Sequence, residues 1–581
     1  MNSGNKLIGD NKLDDSKLRV HCKNTGKDYM VKVGTKLIDF LHEINYDNGE
    51  NKILAAYVDN QLKELSYSLY MAHSVEFIDY TANDGRRTYM RSLCFVLQKA
   101  VHDLYPEYQL IFDYSLPNGL YGELHEKEVE PGTLPRVINI CDSDIEKLKA
   151  KMQEIIDADF PIIKIKLKTQ EAVSLFLRHG QKNKAKLFET IGKFFVSVYY
   201  IDGYGDTFYG PLLISTSYIH KFNLIKYNKG FCLQSPTSLA PNEIPHLKYQ
   251  EKLYDIFKEN SDWCTIIGAK DIGTINRAVL SGGATRAIQI SEALHERKYA
   301  AIADKIFEKR ERVKLVLIAG PSSSGKTTTS KRLALQLKVL GLNPVIIAMD
   351  DYFLNRELTP KDENGDYDFE SVYALNIQLL NTQLNQLFNG EEIELPKFNF
   401  HMGRSEASGN KIKLTDTDIL IMEGIHALNP VLTEQIENDK KFKIFASALT
   451  SLSIDENNSI STTDNRLLRR MVRDNNFRGI TAEETIIRWP SVVRGESKNI
   501  FPYQENADAM FNSSLIYELP LLKHYAEPLL RRILPSSPAY AESLRLLKFL
   551  SYIVEINSKE EIGIPPTSVM REFIGGSTFV Y

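Results

Sequence analysis

The sequence predicts an α/β protein whose C-terminal part is a parallel sheet with helices on both faces. From Val313 onward, four continuous apolar runs, "VKLVLIA", "NPVIIAMD", "DILIMEGI" and "FKIFASA", alternate with helical segments. Apolar strands that alternate with helices are typical of parallel sheets buried on both sides. The run "GPSSSGKTTTS" (320–330) stands between the first of these strands and a helical segment.

Length and composition predict an ordinary globular protein with several domains. A chain of 581 residues exceeds a single hydrophobic core, so two to four domains are expected. The formal net charge of -4 gives no overall attraction to nucleic acid or to anionic lipid. No apolar run approaches the roughly 18 to 20 residues that span a bilayer. We therefore expect no membrane partner.

The cysteines and the start of the chain indicate a reducing compartment. The five cysteines are scattered and form no C-x-x-C pair, which argues against a disulfide framework or a cysteine-based zinc site. The start, "MNSGNKLIGDNKLDDSK", lacks the apolar core of a signal peptide. We predict a cytoplasmic protein in which residues 1–17 are a disordered tail.

The first half of the chain divides into two predicted domains. Residues 18–80 place short alternating strands around the helix-like "KLIDFLHEIN", which is the pattern of a small β-grasp-like module. Residues 81–241 are predicted as a mixed α+β domain. That domain opens on an amphipathic helix in "RTYMRSLCFVLQKAVHDLYP", which Pro106 closes.

The second half has three predicted parts. Residues 242–310 are mostly helical and are predicted to form a bridge. Residues 311–540 form the parallel-sheet domain, and residues 541–581 are a C-terminal extension. Inside the sheet domain, "DENNSISTTDN" (455–465) is predicted as a polar loop.

A phosphate-binding loop is the strongest motif. Gly320, Gly325, Lys326 and Thr327 satisfy G-x-x-x-x-G-K-[ST], with a strand before and a helix after. Such a loop turns backbone N–H groups toward phosphates, while the lysine reaches the terminal phosphates and the hydroxyl coordinates Mg²⁺. The flanking elements disfavour a merely flexible loop. The other predicted nucleotide contacts in this run are Ser322, Ser323, Ser324 and Thr328.

Two acids follow apolar strands of the same domain. Asp350 closes "VIIAMDD" and Glu423 closes "DILIMEG". An acid at such a position can hold a metal ion, and a second can take the proton of an attacking hydroxyl. Either acid alone could instead cap the next helix. Together they predict site residues.

An arginine stripe occupies one predicted helix face. Arg466, Arg469, Arg470 and Arg473 stand at i, i+3, i+4 and i+7, with Arg478 just beyond. Such a stripe is usually a solvated surface. Because no acid intervenes in the stripe, an anion must relieve the repulsion, and a lid that closes on ATP would supply one. We therefore predict a lid.

With these motifs in place, residues 311 to about 535 resemble the uridine kinase and phosphoribulokinase family of P-loop kinases. Segments that match or approximate further motifs of that family follow in the same order. They are "DDYF" (350–353), "YDFE" (367–370), "LIMEGI" (420–425), "RLLRRMVRD" (466–474) and "IFPYQENADAMF" (500–511).

The resemblance implies transfer of the γ-phosphoryl group of ATP to a hydroxyl of a nucleoside. It makes Asp350 the general base and assigns Mg²⁺ to Thr327, Glu423 and Asp350. Lys326, Arg469 and Arg473 become the phosphate contacts of the catalytic machinery. The residues assigned to the acceptor are Asp368, Phe353, Phe398, His401, Arg404 and Arg466.

The acceptor pocket departs from the family pattern. Phe353 stands where uridine kinases have a tyrosine, and "FNFHMGR" (398–404) replaces "Y-D-F-x-x-H-S-R", with Asn399 in place of the aspartate and His401 displaced. Uridine and cytidine are the first acceptors to expect. Another nucleoside or sugar-bearing small molecule stays open.

The first half resembles the front of threonyl-tRNA synthetases, namely a TGS domain followed by the second additional domain. The two editing histidines of that domain's helix are replaced by Arg91 and Phe95. The later C-x-x-H positions are occupied by Tyr209 and Leu212. Without imidazole or thiolate, the editing chemistry is expected to be absent.

The whole arrangement resembles TGS-containing nucleoside kinase-like proteins. The resemblance to kinases that often self-associate implies a homo-oligomer. The C-terminal Arg571, Glu572, Gly575 and Gly576 are predicted either to form a turn that packs on another domain or to belong to a surface tail. The alternative function is a nucleotide-gated regulatory protein whose first half binds RNA, which the near-neutral charge disfavours.

Overall fold

A five-stranded parallel sheet forms the centre of the second half of the chain. The computed structural model describes residues 17–46, 48–49, 51–116, 118–127, 136–361, 365, 367–399, 402–450 and 452–581. Nearly all of the predicted tail therefore lies outside the described residues, as does His401. The sheet has the order β14-β17-β13-β18-β19 and confirms the predicted α/β class. Its strands are β13 (Leu315–Ala319), β14 (Asn343–Ala348), β17 (Asp418–Glu423), β18 (Lys441–Ser447) and β19 (Ala509–Asn512).

Helices cover both faces of this sheet. Leu315 and Leu317 of β13 join one apolar cluster, and the alternating Val316 and Ile318 join another. A hairpin of β15 (Ile393–Asn399) and β16 (Arg404–Ile412) stands beside the sheet. The helices of this half are α9 (Lys326–Val339), α10 (Ile377–Phe388), α11 (Thr462–Phe477), α12 (Ala482–Asn499), α13 (Glu518–Arg531), α14 (Tyr540–Leu550), α15 (Ser558–Glu561) and α16 (Arg571–Ile574).

The first strands of the chain form a separate five-stranded sheet with the order β2-β1-β5-β3-β4, packed on one helix. The central strand, β5, runs parallel to its neighbour β1. The predicted strands and helix are all present. They are β1 (Lys17–Cys22), β2 (Lys27–Lys32), α1 (Leu37–Glu43), β3 (Ala55–Val58), β4 (Gln61–Glu64) and β5 (His73–Ile78).

The next region contains two antiparallel sheets, β10-β9-β8 and β11-β12-β7-β6. Its first helix ends at Leu104, two residues before Pro106, as predicted. The elements are α2 (Asn83–Leu104), β6 (Tyr108–Leu116), β7 (Gly119–Glu126), α3 (Asp142–Asp157), β8 (Ile163–Lys168), α4 (Thr169–Arg178), α5 (Lys182–Thr190), β9 (Phe195–Ile201), β10 (Tyr204–Asp206), β11 (Asn223–Tyr227) and β12 (Gly230–Gln234).

The predicted bridge consists of three helices and is more than a connector. Its last helix packs on the parallel sheet, where Tyr299 and Ile306 are fully buried together with Leu333 of α9. Within the described ranges, no helix has the length and apolarity needed to cross a membrane. The three helices are α6 (Glu251–Ile266), α7 (Ile272–Leu280) and α8 (Ala284–Glu308).

The prediction of a polar loop at 455–465 is wrong in two respects, because its first residues are buried and its last four belong to α11. Asp455 and Asn457 enter the region of α5 and β10, where Lys184 and Asp206 are completely buried and paired with each other. Lys184 Nζ lies 3.7 Å from Asp455 and donates to Asn457 Oδ1 at 3.2 Å. The polar composition of this segment suggested exposure, because the residues that pair with Asp455 and Asn457 lie more than 200 positions earlier in the sequence.

Glu456 caps the N-terminus of α5 in this same buried region, which we call the junction. Its carboxylate accepts hydrogen bonds from the backbone N–H groups of Asn183 (2.7 Å) and Lys184 (3.1 Å). These are N–H groups of the first turn of α5, which lack partners inside the helix. Burial and the neighbouring Asp455 raise the pKa of Glu456 to about 7. The junction therefore buries an acid that is only partly ionised near neutral pH.

We expect this junction to lose stability as the pH rises. The ordinary pKa of Glu456 is 4.5, and the folded value is near 7. The folded chain therefore holds a proton that the unfolded chain has released, and stability falls between these two values. From about pH 5 to about pH 8, the wild-type chain should lose roughly 1–3 kcal/mol relative to Glu456→Gln. Urea unfolding midpoints of both proteins measure this difference.

Glu505→Gln is the matched control, because Glu505 caps α6 in the same way. Its carboxylate accepts from the N–H groups of Lys252 and Leu253 but is only half-buried. This variant should retain the wild-type pH dependence. An unchanged pH dependence in Glu456→Gln would contradict the prediction.

Candidate active site

The phosphate-binding loop joins β13 to α9 at the carboxyl edge of the parallel sheet. Gly325 adopts a φ of 79°, and a Cβ atom at Gly320 would lie 2.0 Å from the carbonyl oxygen of Ala446. Both positions therefore require glycine. The loop presents the N-terminus of α9, whose first N–H groups lack partners inside the helix and favour an anion.

Two of the three predicted metal ligands meet beside this loop. Glu423 ends β17 and pairs in register with Ile318 of β13. Thr327 Oγ1 donates to Glu423 Oε1 at 2.8 Å. Ala348 of β14 pairs with Glu423 from the other side, so Asp350 follows at the same edge of the sheet. The sequence prediction of two acids at neighbouring strand ends describes this geometry.

The charges of the site depend on one another. Burial raises the pKa of Glu423 to about 7, Lys326 opposes this rise, and Asp350 adds to it. The side chain of Asp350 is exposed, but the surrounding protein displaces part of its hydration and so raises its pKa. The positive charges of Lys326, Arg478 and Arg473 act in the opposite direction and lower it. Two carboxylates and a hydroxyl are oxygen donors that fit Mg²⁺, and a cation would relieve the repulsion between the acids.

Two of the predicted lid arginines are buried ion pairs. Arg466 is 1% exposed and donates to both carboxylate oxygens of Glu496, at 2.6 and 2.8 Å. Arg469 is fully buried and forms the same forked pair with Glu518. The inference that only a ligand anion can offset the repulsion between these arginines is therefore wrong, because carboxylates of the protein do so. They come from α12 and α13, outside the stripe.

These ion pairs hold the loop itself. Arg466 donates to the carbonyl oxygen of Ser322 at 3.2 Å, and Arg469 donates to that of Ser323 at 3.3 Å. The N–H group of Ser322 donates to Glu496 at 2.8 Å. The two arginines thus position the loop, whatever they contact when a ligand is bound.

The other arginines of the stripe gather around one acid. Arg470 and Arg473 donate to Asp474 at 3.2 and 2.8 Å, and Arg478 lies 3.6 Å from it. Arg470 also donates to the Ser322 hydroxyl at 2.9 Å. Arg473, predicted as a phosphate contact, and Arg478 are the two whose charge reaches Asp350.

The predicted acceptor residues separate into two groups. Phe353 and Phe398 lie together, with ring centroids 5.6 Å apart, and Phe369 stands 6.5 Å from Phe353. Asp368 accepts the backbone N–H of Glu370 at 3.1 Å. Arg404, in contrast, is exposed and pairs with Glu357 at 3.4 Å.

Two residues beside the loop escaped the sequence analysis. Burial raises the pKa of Glu370 to about 7, with Glu496 adding to the rise and Arg470 and Lys326 opposing it. His426 is 1% exposed, and burial with the charge of Lys326 lowers its pKa to about 4. Their positions next to the family-like motifs could have identified them, since Glu370 is the last residue of "YDFE" and His426 directly follows "MEGI".

The C-terminal residues form the ordered turn rather than a surface tail. Gly575 and Gly576 adopt φ values of 94° and 74°, and Arg571 donates to the carbonyl oxygens of Glu561 and Ile564. A Cβ atom at Gly325 would lie 2.4 Å from a methyl carbon of Val569. This segment therefore packs directly on the phosphate-binding loop.

Glu572 places a carboxylate at the first turn of α9. Its Oε2 accepts from the N–H group of Thr328 at 3.3 Å and from the Thr328 hydroxyl at 2.6 Å. The hydroxyl of Tyr581 lies 2.9 Å from the same Thr328 hydroxyl. Thr328, predicted as a nucleotide contact, thus already binds an anionic group of the chain.

The synthetase-like part shows no editing residues at the four replaced positions. Arg91 donates to the carbonyl oxygen of Pro211 at 3.0 Å. Phe95 and Leu212 are buried in one apolar cluster. Tyr209 lies partly buried, with its pKa raised by desolvation. These contacts are packing contacts, and none of the four supplies a metal ligand of the imidazole or thiolate type.

We expect Arg469→Met to destabilise the chain by about 3–5 kcal/mol, because it leaves Glu518 buried without its partner. The double variant Arg469→Met/Glu518→Leu should recover much of this loss. Urea unfolding followed by tryptophan fluorescence is a direct measure, since Trp489 lies in the core that α11 and α13 share.

Arg531→Met serves as the control for a surface pair. Arg531 donates to Glu527 at 2.6 Å but is largely exposed, so its loss should cost less than about 1 kcal/mol. If Arg469→Met unfolded at the wild-type urea concentration, the buried pair would not be structural.

Residues 315–516 match the model of the phosphoribulokinase / uridine kinase family. The matched segment begins with β13 and includes β19, so it contains the phosphate-binding loop together with Asp350 and Glu423. It covers about a third of the chain. Kinases of this family use ATP and Mg²⁺ in general.

Two kinds of characterised protein are similar to parts of the chain. Threonine–tRNA ligase from Symbiobacterium thermophilum is 30% identical over 173 residues, which are 30% of this chain and 25% of the ligase. Uridine kinase from Staphylococcus aureus is 29% identical over 181 residues, which are 31% of this chain and 77% of the kinase. The chain thus spans about a quarter of the ligase's length.

Solved structures include a possible uridine kinase from Bacillus stearothermophilus. It is 17% identical, with a TM-score of 0.25, and the match covers 36% of this chain and 98% of that one. D-glycerate 3-kinase from Cryptococcus neoformans is 13% identical, with a TM-score of 0.22, over 46% of this chain and 89% of that one. The comparisons thus associate residues 315–516 with a kinase family and the N-terminal region with threonine–tRNA ligases.

Proposed function

We propose that the chain is an ATP- and Mg²⁺-dependent kinase that phosphorylates a hydroxyl of a nucleoside, with uridine and cytidine as the first acceptors. The observation that carries this proposal is the hydrogen bond between Thr327 and Glu423 beside Lys326, with Asp350 at the next strand end. A protein that only binds nucleotide does not need an acid at the position of Asp350. The family match and the similarity to uridine kinases support it.

Each residue of the site has a role in this reaction. Asp350 takes the proton of the acceptor hydroxyl as that oxygen forms its bond to the γ-phosphorus of ATP, and ADP leaves with the electrons of the broken P–O bond. Lys326 and the N–H groups at the start of α9 hold the phosphates. Thr327 and Glu423 would hold Mg²⁺, which supplies charge neutralisation at the phosphates. Positioning and charge account for most of the rate.

The acceptor side favours a flat, largely apolar partner. Phe353, Phe369 and Phe398 bring three aromatic rings to one place, next to Asp368. Aromatic faces suit a nucleobase, and a carboxylate suits the hydroxyl groups of a sugar. Phe353 cannot donate the hydrogen bond of a tyrosine, so base selectivity should be lower than a tyrosine at this position would give.

We expect ADP release with ATP and Mg²⁺ on at least one nucleoside from a panel of uridine, cytidine, purine nucleosides, deoxynucleosides and sugar phosphates. Lys326→Ala and Asp350→Asn should each lower kcat at least about 100-fold, because each removes a charge that acts in the transition state. Lys338→Ala and Asp439→Asn, which change exposed residues of the same domain, should retain activity. ATP binding without turnover on any of these acceptors would contradict the kinase proposal. RNA retention at low salt would then favour the regulatory alternative.

We expect Glu572→Gln to bind ATP about three- to tenfold more tightly. The Glu572 carboxylate occupies the N–H group and hydroxyl of Thr328, so it competes with a phosphate and repels it. Titration calorimetry with ATP measures the change. Glu555→Gln, an exposed acid of the same C-terminal region, should bind as the wild type does. Weaker binding in Glu572→Gln would mean that Glu572 supports the nucleotide site instead of competing for it.

A further inference from the structure

We infer that Asp113, Glu123 and His125 bind a divalent transition-metal ion, with Zn²⁺ as the best fit, at the wall of a cavity between β7 and α6. The three residues lie on the β6–β7 hairpin, far along the chain from the kinase motifs. Glu123 and His125 stand two residues apart on β7 and therefore share one face of the sheet. A β-bulge between Phe112 and Tyr114 brings Asp113 to the same place.

The donor atoms converge as ligands of one ion would. Each residue offers one nitrogen or oxygen, and these atoms all lie within 4.8 Å of one another. Glu123 and His125 are 4% and 3% exposed, and Asp113 is half-buried. One imidazole with two carboxylates suits zinc and similar borderline ions. Mg²⁺ prefers oxygen donors alone and should bind less well.

The hydrogen bonds of His125 leave one nitrogen for a metal. Tyr121 donates its hydroxyl to Glu123 Oε1 at 2.6 Å, and His125 Nε2 lies 3.0 Å from Glu123 Oε2. Because an ionised carboxylate only accepts, Nε2 carries a proton, and in the neutral imidazole Nδ1 then carries the lone pair. Among the described residues, Nδ1 has no hydrogen-bond partner. Each carboxylate oxygen of Glu123 accepts one of these hydrogen bonds and keeps a second lone pair, so Glu123 can orient the imidazole and also bind the ion.

The cavity gives the ion its open coordination positions. It has a volume of about 320 Å³ and is lined by the three ligands and by residues of α6, among them Phe257 and Ser261. The ring of Phe257 stacks on that of Tyr114, with the ring centroids 3.9 Å apart, and this contact packs α6 on the hairpin. The space is large enough for bound water or a small co-ligand.

A lysine side chain competes with a metal ion for the carboxylate of Asp113. Lys270 Nζ lies 3.6 Å from Asp113 Oδ1 and lines the cavity. Three further basic residues line it as well, which favours an anionic co-ligand on the metal. They are Arg136, Lys229 and Lys258. Removing the Lys270 charge should therefore strengthen metal binding, while removing a ligand should weaken it.

The test is Zn²⁺ titration of the EDTA-treated full chain by calorimetry. We expect one Zn²⁺ per chain, bound at micromolar concentration or below. His125→Gln and Asp113→Asn should weaken binding at least about tenfold, because a ligand contributes no less than a residue that supports one. Lys270→Met should tighten binding about three- to tenfold, because it removes a cation beside the site. Glu146→Gln, which changes an exposed acid of α3 outside the cavity, should change nothing.

X-ray absorption at the zinc edge separates this site from adventitious binding. We expect nitrogen and oxygen neighbours and no sulfur, which excludes the exposed Cys141 as the ligand. Circular dichroism checks that each variant is folded, and Asp113→Asn, at the less buried position, keeps the test valid if His125→Gln unfolds. Sulfur ligation, equal affinity in Asp113→Asn, or no binding below about 0.1 mM would overturn the inference.

Discussion

The phosphate-binding loop depends on two buried arginine–glutamate pairs. The guanidinium groups of Arg466 and Arg469 bond to carbonyl oxygens of the loop, while Glu496 and Glu518 hold those groups in place. Four charges removed from water are costly unless every donor and acceptor is matched and the surroundings are closely packed. The large cluster that joins α11 to α13 with the C-terminal helices provides this packing. The geometry of the loop is therefore a property of the whole second half.

That same cluster ties the halves of the molecule together. It includes Phe176 of α4 and Leu187 of α5 from the first half, and Leu467 and Leu522 from the second. Glu456 and Asp455 add polar contacts at this boundary. The segment that carries them leads directly into α11. The synthetase-like part and the helix that carries the loop-holding arginines therefore share one continuous core.

Local patterns predicted four of the five parallel strands, the loop and the two acids, because each of these is encoded within about ten residues of sequence. The partners of the arginines could not be predicted in this way, since Glu496 and Glu518 stand 30 and 49 residues away. Burial of Asp455 was missed for the same reason, and polar composition argued against it. His125 was missed because a strand that alternates Tyr121, Glu123 and His125 looks like a solvated face until α6 covers it.

The buried pair of Lys184 and Asp206 also bears on how the chain is synthesised. Asp455 and Asn457 leave the ribosome about 250 residues after Asp206, which at ordinary elongation rates takes on the order of 10–50 s. During that interval the first half has a core that lacks Leu452 and Ile454, and apolar surface that the finished molecule covers is open to water. Nascent chains in this state are natural clients of chaperones.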